Sequence, residues 1–414
     1  MKVLMLTPDS AMIDRRILLE AETLVNSGYS VTLLAGFECE KEEHYTYKGI
    51  NIHRYQYDWD DERLKKIRKF LMNWFRRESL VALVNRFYMA LARRFFEVTP
   101  YETFVIARAE QFQAGIVHVH DLPCLKIGAI LAQKWKVPLV YDAHEIYYEQ
   151  NCLPIRSQRL LERTEARYID KVNLMITVNE AIAQYFQSKY SIAHPLVLMN
   201  CTNLPEKGIH PNARQELRCQ LGLDTNTTII LYQGWISNER NLDTLVKSAA
   251  FFPPNAVLVI IGYGAYEATL KQIVTEQNLE KQVFFLGKVP SDEILNFTAG
   301  ADIGVIPYLP IDLNHELCSP NKFFEYVLAG VPIITHKLPF FEQMAAQYGG
   351  VLVGDMSTAN SIAEVINKLV NNTDKRTQLQ QNLEQSSQVL NWKTEGEKLL
   401  AAYGSLGKST INVR

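Results

Sequence analysis

Three observations predict an α/β chain built from two parallel-sheet domains. Short apolar runs alternate with helical segments along both halves, the pattern restarts near Leu196–Asn200, and 414 residues suit two domains of ordinary size. In the first half, Val3–Leu6, Val31–Ala35, Ile116–Asp121, Pro138–Asp142 and Leu174–Val178 read as strands. A helix is predicted from Asp14 to Ser27 with Gly28 as its stop, and another from Leu125 to Trp135. Strands separated by helices imply right-handed crossovers and a parallel sheet.

A linker rich in turn formers (Asn203, Pro205, Gly208, Pro211) precedes the second half. There the predicted order is strand Thr228–Gln233, helix Asn241–Ala250, strand Val257–Ile261, helix Tyr266–Gln277, strand Val283–Leu286, helix Asp292–Ala299 and strand Ile303–Pro307. The tail from Trp392 to Leu406 has helical apolar spacing. The expected domains are 1–198 and 199–391, with 392–414 packing back on the first.

Composition narrows the function classes. Apolar residues make up 47% of the chain and the net charge is −2, which argues against a global nucleic-acid footprint. The six cysteines form no CxxC pair and no zinc spacing, as expected of reduced thiols in the cytosol. The first apolar run is too short for a signal peptide, and no run approaches the roughly 18–20 residues needed to span a bilayer.

The most informative stretch is Ser319-Pro320-Asn321-Lys322-Phe323-Phe324-Glu325-Tyr326-Val327-Leu328-Ala329-Gly330-Val331-Pro332. It reads as a helix start capped by Ser319 or Asn321, a short helix, a glycine stop and a proline that forbids continuation. Lys322 sits in the first turn, where the helix dipole favours anions; that is poor design unless an anion also comes there. Glu325 lies one turn further along the same face. A phosphate clamp followed by a hydroxyl-binding carboxylate suits a nucleotide-sugar.

This segment resembles the donor signature of the family 4 (group 1) retaining glycosyltransferases. The resemblance implies the GT-B fold: two Rossmann-like domains facing each other across a cleft. It implies a nucleoside-diphosphate-sugar donor, with Glu325 on the ribose hydroxyls and Ser319, Asn321 and Phe323 lining the helix start. Leu231-Tyr232-Gln233-Gly234-Trp235 followed by Arg240 resembles the family's phosphate region. Arg240 stands where the family has a lysine, while Trp235 stands where it has an arginine, so Lys322 is expected to supply the second charge. Gly234 allows close backbone approach. Gly264 and Lys288, each just beyond a predicted strand, complete the donor set. Glu316 is one residue out of register with a second family glutamate, whose place Leu317 holds.

On the acceptor side the resemblance singles out His120, which touches the donor sugar in the family, with Asp121, Glu145 and Arg16. Arg240, Lys322 and His120 are the expected catalytic residues. Asn179 reads as a helix cap. Asp58-Trp59-Asp60-Asp61 imitates a metal motif but lies in a polar loop, and no metal or other cofactor is expected. From Arg63 to Arg94 ten basic residues interleave with aromatics, a pattern suited to an anionic membrane surface. The expected partners are therefore a nucleotide-sugar, a glycan or lipid-linked acceptor and a peripheral membrane contact through 63–96, at a cytoplasmic location. Two alternatives stand: a GT-B epimerase acting on the donor alone, and a non-catalytic partner that keeps the fold.

Overall fold

A computed structural model describes residues 1–9, 12–36, 38–57, 98–205 and 207–409. The Asp58–Asp61 motif and the basic segment from Arg63 to Arg94 lie outside the described residues. The chain divides into two compact units. One comprises Met1–Ala143, Leu161–Met175 and Ala402–Arg414; the other comprises His144–Leu160 and Ile176–Ala401.

The first sheet holds eight strands: β1 (Lys2–Leu6), β2 (Ser30–Ala35), β3 (Glu38–Tyr47), β4 (Ile50–Gln56), β5 (Ile116–His120), β6 (Leu139–Ala143), β7 (Leu174–Thr177) and β8 (Leu196–Val197). Their spatial order is β3-β4-β2-β1-β5-β6-β7-β8. β1 runs parallel to β2 and β5, and β5 runs parallel to β6. Buried aliphatic runs such as Val3–Leu6 and Val31–Ala35 explain why these strands are covered on both faces. The hairpin β3–β4 is not among the elements expected from sequence. It is antiparallel and turns at Lys48 and Gly49, both at positive φ.

The second sheet holds β9 (Thr228–Trp235), β10 (Ala256–Tyr263), β11 (Val283–Gly287), β12 (Ile303–Ile306), β13 (Ile333–His336) and β14 (Val351–Gly354). The order is β11-β10-β9-β12-β13-β14. Every pair in it is parallel. Chain order reverses on either side of β9–β12 here, and of β1–β5 in the first sheet. Such switch points open a crevice at the carboxyl ends of the strands, where ligands bind in open α/β sheets. Gly234 lies at the carboxyl end of β9 and Asp121 follows β5, so these two expected site residues sit at the switch points; Tyr308, which the sequence did not single out, lies just beyond β12.

The helix over Asn321–Leu328 ends as predicted: Gly330 adopts φ +65° and the chain enters β13 after Pro332. Its start differs from the expectation. The residue before the helix is Pro320, and neither Ser319 nor Asn321 caps it through a side chain. The first-turn N–H groups therefore lack the side-chain acceptor that usually satisfies them.

Candidate active site

In the second unit, the site is built around Tyr308. The Lys322 ammonium donates to the Tyr308 hydroxyl. It also lies 4.7 Å from the centre of the Tyr308 ring and 4.9 Å from that of Tyr232. The Arg240 guanidinium stacks over the same Tyr308 ring at 4.5 Å. Lys322 is only 7% exposed. Among the described residues neither cation has a carboxylate within ion-pair distance. An ammonium buried that far from water is costly without an anion, and ring faces and one hydroxyl offset only part of the cost.

The backbone brings the pieces together. Arg240 closes a short 3-10 turn, and Asn241 follows at φ +56°. The Asn241 amide donates to the carbonyls of Pro307 and Met356, at 3.0 and 2.8 Å, tying that turn to the end of β12. At Gly234, φ is +124° and a Cβ would sit 3.2 Å from the Lys322 ammonium, so the glycine leaves the ammonium room. On the next strand Gly262 is tighter still: a Cβ there would lie 1.8 Å from the Gly234 carbonyl oxygen.

Glu325 is buried beside this cluster. The Gln233 amide donates to Glu325 Oε2 at 2.5 Å, and Thr298 donates to Gln233 Oε1 at 2.8 Å. Glu145 belongs to the same unit. Its carboxylate accepts from Gln150 at 2.6 Å and from Asn314 at 2.8 Å. Burial raises the Glu145 pKa above the usual carboxylate value, against the opposing pull of Asn314, His144 and Arg240. The Arg240 field thus reaches an acid expected on the acceptor side. Burial also pushes the Tyr308 hydroxyl up, but Lys322 and Arg240 outweigh it and the net shift is downward. The Cys318 thiol is pushed up to about 11 by burial, in spite of both cations.

The remaining donor-side expectations divide. Ser319 is buried, its hydroxyl has no partner among the described residues, and its carbonyl accepts from Asn200 at 2.8 Å. Asn321 is exposed at the helix start, and Lys288 is exposed with its ammonium 4.8 Å from the Tyr263 ring centre. Phe323 requires correction. Its side chain is a core residue, packed edge-on against Phe340 with centroids 5.1 Å apart, and its N–H already donates to Pro320. Its ring also meets Phe341, at 6.0 Å, on the helix Pro339–Tyr348. Gly264 serves packing, since a Cβ there would strike the Ile236 carbonyl at 2.0 Å. Glu316 is exposed and the Leu317 carbonyl accepts from Asn179, which caps the following helix through Ile182 N–H.

The first unit holds a different arrangement. Arg16 donates to both Asp142 oxygens, at 3.1 and 2.9 Å, and pairs with Glu20 at 3.0 Å. Burial opposes the Arg16 charge, but Asp142 and Glu20 more than compensate and raise its pKa. His120 Nδ1 lies 3.3 Å from Asp142, its ring stacks on His118 at 4.4 Å, and His118 Nδ1 meets the Tyr403 hydroxyl at 2.7 Å. Arg16, expected to reach a ligand, is thus spent on a buried ion pair. His120, expected at an open rim, is wholly buried behind the same carboxylate. Four ligand-type atoms from Glu20, His118, His120 and Asp142 lie within 4.8 Å of one another, but Arg16 already supplies the positive charge between the two acids. Asp121 takes φ +59°, a strained setting at the end of β5 that the sequence did not signal.

Comparison with known proteins agrees with this architecture. Residues 213–386 match the family "Glycosyl transferases group 1", and residues 13–201 match "Glycosyl transferase 4-like domain". Together the two matches identify the chain as a member of the group 1 glycosyltransferases. It is 24% identical over 212 residues to the D-inositol 3-phosphate glycosyltransferase of Mycolicibacterium smegmatis, a match covering 46% of each chain, so it spans about half of that relative's length. It is 22% identical over 273 residues to the alpha-monoglucosyldiacylglycerol synthase of Streptococcus pneumoniae, covering 62% of this chain and 60% of that one. Its fold resembles Alr3699/HepE of Anabaena, solved in complex with UDP and glucose. There the TM-score is 0.72 at 16% identity, over 98% of this chain and all of the other. Both sheets fit a GT-B glycosyltransferase fold.

Proposed function

We propose that the protein is a retaining glycosyltransferase that moves a sugar from a nucleoside-diphosphate sugar to a hydroxyl of a glycan or lipid-linked acceptor. UDP-glucose is the first donor to test, because the Anabaena relative was solved with UDP and glucose. Residues 199–391 would bind the donor and residues 1–198 the acceptor, with 392–414 returning to the latter. A lipid-borne acceptor and a membrane contact through 63–96 are in keeping with the diacylglycerol relative.

The observation that carries this reading is a buried Lys322 ammonium, flanked by Arg240, with no carboxylate partner among the described residues. A diphosphate is the partner such a pair lacks. As the bond from the anomeric carbon to the phosphate oxygen breaks, charge grows on the β-phosphate. Arg240, Lys322 and the uncapped N–H groups at the start of Asn321–Leu328 would stabilise it. The acceptor oxygen bonds the same face of the carbon, and its proton passes to the departing phosphate. Glu325 would hold the ribose hydroxyls. Ser319, Asn321, Gly234 and Lys288 would line the donor, and Gly264 would shape its loop. Glu145 and Asp121 would face the acceptor, and His120 would orient the reaction from within the Asp142–Arg16 network. No step in this scheme calls for a metal, so transfer should survive excess EDTA.

Calorimetric titration of UDP, followed by transfer assays with UDP-glucose, tests the proposal. Saturable one-site binding supports it. The absence of specific heat with every nucleoside-diphosphate sugar would overturn it in favour of a non-catalytic relative, a reading that Trp235 in the usual arginine position otherwise favours. Sugar interconversion without any acceptor would point to an epimerase.

A further inference from the structure

The helix Ile155–Tyr168 carries a second charged surface, far along the chain from the basic segment noted in the sequence. Arg156, Arg159, Arg163 and Arg167 are all exposed. At 3.6 residues per turn these positions fall within an arc of about 80°. Leu160 lies just beyond Arg167 at one edge of that arc, and Ile155 lies beyond Arg159 at the other. Both aliphatics are open to water, Ile155 at 66% and Leu160 at 45%.

The opposite face anchors the helix. Glu165 is buried and accepts from the Tyr141 hydroxyl at 2.6 Å, Tyr168 is buried beside it, and Gln158 donates to the Gln150 carbonyl at 3.0 Å. The helix's other acid, Glu162, lies on the flank of the basic arc and is half-buried. Among the described residues Arg156, Arg159 and Arg163 have no acidic partner. A solvated helix face on a chain of net charge −2 would ordinarily mix signs. This face carries a single sign and adds exposed aliphatics, which is the composition of a helix lying in a membrane interface.

We propose that the Ile155–Tyr168 face docks on an anionic phospholipid surface. The arginines would meet lipid phosphates, and Ile155 and Leu160 would enter the headgroup–acyl boundary. Charge complementarity commits the occupant: guanidinium groups pair with phosphate through forked hydrogen bonds. The evidence is the helix itself. Only the purpose, bringing the enzyme to a lipid-borne acceptor, rests on the reading given under Proposed function.

Flotation of the full chain with phosphatidylglycerol–phosphatidylcholine vesicles, and with phosphatidylcholine vesicles alone, tests this. The wild type should float with the anionic vesicles only, and less as salt rises. The triple variant Arg156→Gln, Arg159→Gln, Arg163→Gln should lose on the order of 100-fold in vesicle partition, from about fivefold per arginine. Ile155→Ser with Leu160→Ser should lose partition by a smaller factor. UDP titration should be unchanged in both variants, showing that they are folded. A triple variant that floats like the wild type overturns the proposal, as does a wild type that floats with neither vesicle or that binds a soluble polyanion but no vesicle. Failure of UDP to bind any form strikes the donor reading instead and leaves the vesicle result to be judged alone.

Discussion

Arg16 and Lys322 are both buried cations near the carboxyl ends of strands, yet they are held in opposite ways. Arg16 is neutralised within its own unit by Asp142 and Glu20, both within 3.1 Å. Lys322 is held by the Tyr308 hydroxyl and by two ring faces, and among the described residues it meets no carboxylate. A satisfied buried pair is a structural element, whereas an unsatisfied buried charge is a binding element awaiting its counterion. The difference teaches which of two conspicuous cations to assign to the ligand. Position at a strand end does not decide it; the charge inventory around each one does.

The largest expected effect tests the paired side. Arg16→Met leaves Asp142 and Glu20 buried without their cation and should destabilise the protein by about 3–5 kcal/mol in denaturant unfolding. Lys322→Met should cost nothing or raise the unfolding midpoint, because it removes an uncompensated charge. Equal losses in the two variants would erase the distinction. Next in size, Arg240→Ala and Lys322→Ala should each lower the transfer rate on the order of 10²-fold, measured as kcat with saturating donor. Unchanged rates would remove the clamp from the mechanism.

A smaller effect is expected at Glu325. Glu325→Ala should weaken UDP binding by about tenfold or somewhat more, the worth of a charge-assisted hydrogen bond, with kcat less affected. The smallest effect is a pH dependence. Although burial raises the Tyr308 pKa, Lys322 and Arg240 bring it below its ordinary value of 10.0. As pH rises through that lowered value, a tyrosinate cancels one of the two clamp charges, so UDP affinity should fall on the alkaline side. Tyr308→Phe should flatten this limb; an identical pH profile in the variant would detach Tyr308 from the clamp.

Much of this arrangement was legible in the sequence, and the exceptions have physical reasons. The alternation of buried aliphatic runs with helices announced both parallel sheets, and Gly330 with Pro332 announced the end of the Asn321–Leu328 helix. Lys322 stood out because a cation in a first helical turn opposes the dipole. The hairpin β3–β4 was hidden because its outer strand, Glu38–Tyr47, is rich in charge, as edge strands often are, and resembles a loop. Its Lys48–Gly49 turn was the missed signal. Phe323 looked like a ligand residue because it sits in a motif, but every residue from Lys322 to Val327 is buried and the ring packs against Phe340 and Phe341. The pairing of Arg16 with Asp142 spans 126 positions and leaves no local trace. The strained φ of Asp121 was equally silent, since its N–H is held by the Asp142 carbonyl at 2.9 Å, a contact remote in sequence.

The most direct measurement is a calorimetric titration of UDP into the wild type and into Lys322→Met, both with EDTA present. A buried ammonium that awaits a diphosphate predicts one site in the wild type and at least a tenfold weaker site in a variant that is no less stable. Equal affinity in the two proteins would contradict it and leave Lys322 as an isolated charge in the core.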